Sequence, residues 1–139
     1  MSNVKCYTSK FTQDILAFHE KFKLEPLDKP GFLSEEQMQF RTNFLYEELE
    51  EFVLATKDGD LTKAFDALID LQYVLLGTAH LMGLPFDEGW DIVQAANMKK
   101  VRAVRPEDSK RGSGFDVVKP EGWVAPDAAL QALIMEEKA

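Results

Sequence analysis

Apolar residues recur with a helical period along most of the chain, and short breaks bearing Gly, Pro or Asp divide that pattern into five segments. From Ser9 to Lys23, Phe11, Ile15, Phe18 and Phe22 fall on one stripe. The break "LEPLDKPGF" follows. Ser34 then has the features of an N-cap: Gln37 stands three residues on, and Leu33 and Met38 are placed for a hydrophobic staple. This second helix is predicted to reach Lys57, where "KDGD" ends it. Asp60 is placed to cap a third helix, "LTKAFDALIDLQYVLLGTAHLM", which Gly83 and Pro85 stop. That helix is apolar almost all round, which predicts the central, most buried position. A fourth helix starts near Asp87, holds "EGWDIVQAANMKKV" and is over by Pro106. Residues 105–126 read as an extended tail rich in Gly, Lys and Arg, in which "FDVV" is a candidate short strand with no predicted pairing partner. "PDAALQALIMEEK" predicts a short last helix with Asp127 as its cap. The expected fold is all-α: a four-helix-bundle-like core with an extended C-terminal tail and a short final helix. Residues 1–105 form the bundle in this reading, and residues 106–139 are the tail and last helix of the same domain.

The helical phase sorts the acids. A helix turns about 100° per residue. With Glu48 at the origin, Arg41, Phe44, Leu45, Phe52 and Ala55 all lie within about 60° of it. Glu48 therefore sits inside the apolar stripe of the second helix, Glu51 at its edge and Glu47 just beyond, while Glu50 points away. An inward carboxylate costs several kcal/mol unless something compensates it. Arg41, two turns earlier, is one candidate; a bound cation is the other. The third helix adds Asp66 and Asp70, four residues apart on one face. Asp70 is either a hydrogen-bonded core aspartate or part of the same site, and acids such as Asp66 are common in early helical turns. Two antiparallel helices that each offer an inward acid pair can build an oxygen cage for Mg²⁺ or Mn²⁺. On the fourth helix, Asn97 shares a stripe with Trp90, Val93, Val101 and Val104, and Lys100 lies at its edge. These two read either as a core amide and a solvated lysine, or as groups that hold phosphate oxygens or a metal-bound water.

Composition narrows the function. The chain has 139 residues and a net charge of −8, so a non-specific nucleic-acid polymer is not an expected partner. No apolar run is long enough to span a bilayer, and the N-terminus lacks a charged-then-apolar signal pattern. Cys6 is the single cysteine, which excludes an internal disulfide and points to a reducing cytoplasm. A small anionic ligand would need a metal ion to screen these acidic surroundings.

"EELEE" at residues 47–51 fits the EExxE motif of the all-α nucleoside triphosphate pyrophosphohydrolases, the MazG-like and phosphoribosyl-ATP pyrophosphohydrolase-like superfamily. "DALIDLQYV" resembles the ExxD helix that follows in that superfamily, "ANMKKVR" its Asn-containing fourth helix, and "KPEGW" the tail of MazG-like members. The resemblance covers roughly residues 34–125. It implies a helical bundle, a homodimer or homotetramer, and Mg²⁺ held by acids of the two central helices. Glu48 and Glu51 would then be metal ligands, Asp70 the aspartate of ExxD, and Glu47 a further acid of the site or the group that orients water. Ala67 stands where ExxD has glutamate. Asp66, one residue earlier and on the face of Asp70, is the candidate replacement.

The expected activity is metal-dependent hydrolysis of a nucleoside triphosphate, with a deoxynucleotide favoured, to monophosphate and pyrophosphate. Lys100, Lys110, Arg111 and Lys119 are candidates for screening the pyrophosphate charge, on a tail able to close as a lid. The alternative for those tail cations is a solvated basic linker. Phe40, Phe44 and Trp123 are candidates for stacking on a base or for plain packing. Pyrophosphate release from phosphoribosyl-ATP is the alternative reaction. A catalytically inactive module that binds a nucleotide or a protein is the alternative of another class.

Overall fold

The computed structural model describes residues 9–139; Cys6 lies outside the described residues. The fold is all-α, with a bundle-like helical core, a two-stranded hairpin and a short final helix. The chain forms two compact units, one ending at Asp87 and joined by residues 137–139, the other comprising residues 88–136.

The first unit is built on three helices. Helix α1 spans Lys10–Phe22, α2 spans Glu35–Lys57 and α3 spans Leu61–Leu81. Ser9 caps α1 by accepting from the Thr12 amide, and the Asp87 carboxylate adds an acceptor for the Ser9 amide and the Thr12 hydroxyl. That places negative charge at the positive end of the α1 dipole. Ser34 caps α2 through the Gln37 amide at 3.2 Å, and Asp60 caps α3 through the Lys63 amide at 3.0 Å. The short turn between Lys57 and Leu61 sends α3 back antiparallel along α2. Arg41 thus meets Val74 and Thr78 near one end, and Glu48 meets Asp70 nearer the other.

Helix α3 packs on both α1 and α2, so it is central as its composition predicts. Its burial is one-sided, however. Ala67, Val74, Leu76, Gly77 and Ala79 are buried, whereas Leu61, Phe65, Leu68 and Ile69 are exposed. An apolar groove of about 380 Å³ runs between α1 and α3, with Phe11, Phe65, Leu68 and Tyr73 in its lining. The α1 stripe is also displaced from its predicted phase. Thr12, Ile15 and His19 are its buried residues, while Phe11, Phe18 and Phe22 lie on an exposed flank.

The inner face of α1 carries a polar knot. His19 Nδ1 lies 2.7 Å from His80 Nδ1 on α3. Beside them Arg41 donates from Nε to Thr78 Oγ1 and from Nη2 to the Val74 carbonyl, both at 2.9 Å. Gly77 makes room for this arrangement: a Cβ there would lie 2.8 Å from Arg41 Nη2 and 3.1 Å from His19 Nε2.

Helix α4 spans Phe86–Asn97 and α5 spans Asp127–Lys138. Within the second unit, Gly89 of α4 faces Leu130 of α5. The fourth helix stops before the predicted "MKKV". Lys100 follows it in a loop, and Val101–Arg102 forms a strand, β1, antiparallel to β2 at Val117–Val118. "FDVV" therefore has a partner after all, drawn from residues expected to be helical. Asp127 is the first residue of α5 rather than its cap; the Pro126 carbonyl accepts from the Leu130 amide. Among the described residues, no single helix is long and apolar enough to cross a membrane.

Candidate active site

Glu48 is 8% exposed, and its Oε2 is buried with no hydrogen-bond partner. Arg41 does not supply one, because its Nε and Nη2 hydrogen bonds run to α3. What faces Glu48 is more negative charge. Glu48, Glu51 and Asp70 each offer a carboxylate oxygen, and these atoms all lie within 4.8 Å of one another. Burial, and then the nearby carboxyls of Glu51, Asp70 and Glu47, push the Glu48 carboxyl up to about 7. Asp70 is raised too, first by burial and then by Asp66 and Glu51. Such a group of acids gains from any positive charge placed among them.

The surroundings of the trio follow from helical geometry. Glu48 and Glu51 are three residues apart, so they share a face of α2. The antiparallel α3 brings Asp70 opposite. Asp66, one turn before Asp70, is exposed; its carboxyl helps to raise that of Asp70, but it lies outside the close trio. Glu47 is exposed at the edge and Glu50 is exposed as well. Ala67, at the position of the ExxD glutamate, is buried packing. Phe40 is exposed and stacks edge-on against Phe44.

An all-oxygen donor set with an orphaned buried oxygen fits a hard divalent cation and suits soft metals poorly. The trio can therefore hold a metal ion.

The predicted cations gather in the second unit. Lys100, Lys110, Arg111 and Lys119 line one cavity of about 450 Å³, together with Asp108 and Asp116. Asp116 accepts both Ser109 Oγ at 2.7 Å and Arg111 Nη1 at 2.9 Å. These two partners hold its carboxyl below the usual carboxylate range. Asn97 is not in the lining; it is exposed at the end of α4, and its carbonyl accepts from the Lys100 amide.

The residues that the sequence reading did not single out are His19, His80 and Glu88. A lone histidine between phenylalanines gives no signal of its own, and the pairing appears only when α1 meets α3. Glu88 Oε2 is also buried without a hydrogen-bond partner. Its place in the first turn of α4 puts it near a positive helix end.

The family model for phosphoribosyl-ATP pyrophosphohydrolase matches residues 15–97. The chain belongs to the phosphoribosyl-ATP pyrophosphohydrolase family. That family is part of the all-α MazG-like NTP pyrophosphohydrolase superfamily. Membership makes the chain a pyrophosphohydrolase, a hydrolase of phosphoanhydride bonds in nucleotide-like substrates. The phosphoribosyl-ATP pyrophosphohydrolase match spans Glu48, Glu51, Asp66 and Asp70, and it ends before Lys100. No curated protein matches the chain.

Proposed function

We propose that the protein hydrolyses the α–β phosphoanhydride of a nucleoside triphosphate, releasing monophosphate and pyrophosphate, with Mg²⁺ or Mn²⁺ as cofactor. The observation that carries this reading is the unpartnered Oε2 of Glu48, buried against two further carboxyls. Glu48, Glu51 and Asp70 would hold the cation, and the Asp66 carboxyl, one turn away, adds negative charge beside Asp70. When bound, the cation supplies positive charge against the phosphate oxygens and acidifies water. Glu47, exposed at the edge, would orient a water and take its proton at the carboxylate. Glu50 has no part in the site.

The family match favours a second reading, in which the substrate is phosphoribosyl-ATP. The bond broken and the acids used are the same, so substrate alone separates the two. The test is pyrophosphate release from a panel of ribo- and deoxynucleoside triphosphates and phosphoribosyl-ATP, with Mg²⁺, with Mn²⁺ and with chelator. Turnover of the triphosphates supports the first reading. Turnover of phosphoribosyl-ATP alone selects the second. Binding without turnover of any substrate rejects both, and full activity in chelator rejects the metal.

A homo-oligomer is part of the same proposal: the apolar flank of α1 and α3 is covered by a second copy. The proposed setting is the cytoplasm, in keeping with the single cysteine.

A further inference from the structure

The cavity of the second unit lies beyond the segment that the family model matches, and its construction is that of an anion site. Its two acids are already matched. Asp116 is paired with Arg111 at 2.9 Å, and Asp108 with Arg105 at 3.2 Å. Lys100, Lys110 and Lys119 remain in the lining, and among the described residues none of the three has an acidic partner within salt-bridge distance. Three lysines around one cavity, in a chain of net charge −8, concentrate positive potential where the rest of the molecule would dilute it.

Two of these lysines are held in place. The Lys100 and Lys119 ammonium groups lie 5.2 and 5.0 Å from the centre of the Trp123 ring, a cation–π distance for both. The ring is fixed in turn, because Trp123 Nε1 donates to the Ala96 carbonyl at 2.7 Å. The turn that returns the chain to this point is Pro120–Trp123, closed by the Trp123 amide on the Pro120 carbonyl. Its third residue, Gly122, has φ 77°, the left-handed conformation that favours glycine. "KPEGW" is thus a device that sets Lys119 and the indole against the end of α4. In the lining, Asp116 is held by Ser109 and Arg111, and the next two residues, Val117 and Val118, form β2 and pair with β1. Lys100 and Lys119 therefore have little side-chain freedom left to lose when an anion arrives.

We propose that this cavity binds a pyrophosphate group, and that it does so without a divalent metal. A single phosphate ester carries about −1.5 to −2 charges at neutral pH, which leaves part of the three-lysine charge unmatched; two linked phosphates match it. The cavity volume of about 450 Å³ falls in the range of about 300–1,000 Å³ usual for small-ligand sites. The choice of pyrophosphate over other polyanions rests on the hydrolase assignment. The cationic cavity itself does not.

The test is calorimetric titration of sodium pyrophosphate into the full chain in chelator-containing buffer at low salt. Wild type binds one pyrophosphate per chain, and the affinity falls as salt is added. Lys110→Met and Lys119→Met each weaken binding about tenfold, the loss of one charge-assisted contact. Lys110 is exposed and, among the described residues, its side chain forms no ion pair, so its variant keeps the test valid if Lys119→Met loosens the Trp123 turn. Lys99→Met, outside the lining, binds as wild type. No heat with wild type, equal affinity for sulfate, or wild-type affinity in both lining variants overturns the proposal. A non-hydrolysable α,β-methylene triphosphate that displaces pyrophosphate identifies the ligand as the substrate's own phosphates. Failure to displace identifies released product. Turnover with Mg²⁺, measured separately, reports on the hydrolase reading, so the two ideas fail independently.

Discussion

The carboxyls of Glu48 on α2 and Asp70 on α3 face each other closely enough to share one ion, and Oε2 of Glu48 has no other partner. This opposition of like charges costs stability in the metal-free protein and becomes an affinity when a cation enters.

The pH dependence of the metal-free protein follows from it. The unfolded chain releases the Glu48 proton near the ordinary glutamate value of 4.5, whereas the folded chain keeps it to about 7. A raised folded pKa contributes stability that is fully present below the unfolded value and is lost as pH rises through the folded one. His19 acts in the opposite sense. Burial, and then His80 and Arg41, lower it from 6.5 to about 4, so acidification below 6.5 costs stability. Glu48→Gln removes the first effect and leaves the second. In chelator, its melting temperature should exceed that of wild type by a margin that grows between about pH 5 and about pH 8. A margin that stays flat over that range would contradict the raised carboxyl.

Substitution should separate the glutamates by their place on α2. Glu48→Gln and Glu51→Gln should each lower Mn²⁺ affinity by at least the ten- to hundredfold, roughly, that is lost even when groups behind the ligands are changed, and abolish pyrophosphate release. Glu50→Gln should leave both near wild type. Asp66→Asn tests the neighbour of Asp70. A loss on the order of tenfold in Mn²⁺ affinity is expected with the fold intact, and wild-type affinity would reduce Asp66 to an early-turn acid. Calorimetry and a coupled pyrophosphate assay read both outcomes.

Gly77→Ala should destabilise the first unit. The added methyl meets Arg41 Nη2 at 2.8 Å and His19 Nε2 at 3.1 Å, and overpacking of this kind costs about 1–3 kcal/mol. Urea unfolding measures the loss. Wild-type stability would mean that the guanidinium moves aside without giving up its bonds to Thr78 and Val74.

Light scattering should return a dimer or a larger assembly. Leu61 is 83% and Phe65 64% exposed on a helix that is apolar nearly all round, and patches of that kind on one chain favour a second copy. Phe65→Glu should shift the population toward monomer. A wild-type monomer at micromolar concentration would contradict the assembly.

Much of the fold was legible because its signals are local. Ser34, Asp60 and the "KDGD" break mark the ends of α2 and α3, and the period of α2 was enough to turn Glu48 inward and Glu50 out. Where pairing decides the structure, the sequence was silent. Two-residue strands carry no periodicity, so Val101–Arg102 passed for helix and Val117–Val118 had no partner. The α1 stripe was misplaced because three phenylalanines outweigh Thr12 and His19 on any apolar scale. It is the hydrogen bond from Thr12 to Asp87, and that between the two histidines, that draw the polar side inward. Arg41 looked like a counter-ion for Glu48 by spacing alone; the acceptors on α3 were nearer.

The 2.7 Å contact between His19 and His80 has a consequence for how the chain can vary. One Nδ1 must carry the proton and the other a lone pair, so the rings must be opposite tautomers. Replacing either ring with an apolar residue leaves the other with a nitrogen stranded in the core, beside a guanidinium that cannot give up its charge. Positions 19 and 80 are therefore expected to change together in descendants of this sequence or not at all, and a lineage that loses one histidine should carry a compensating change at the other.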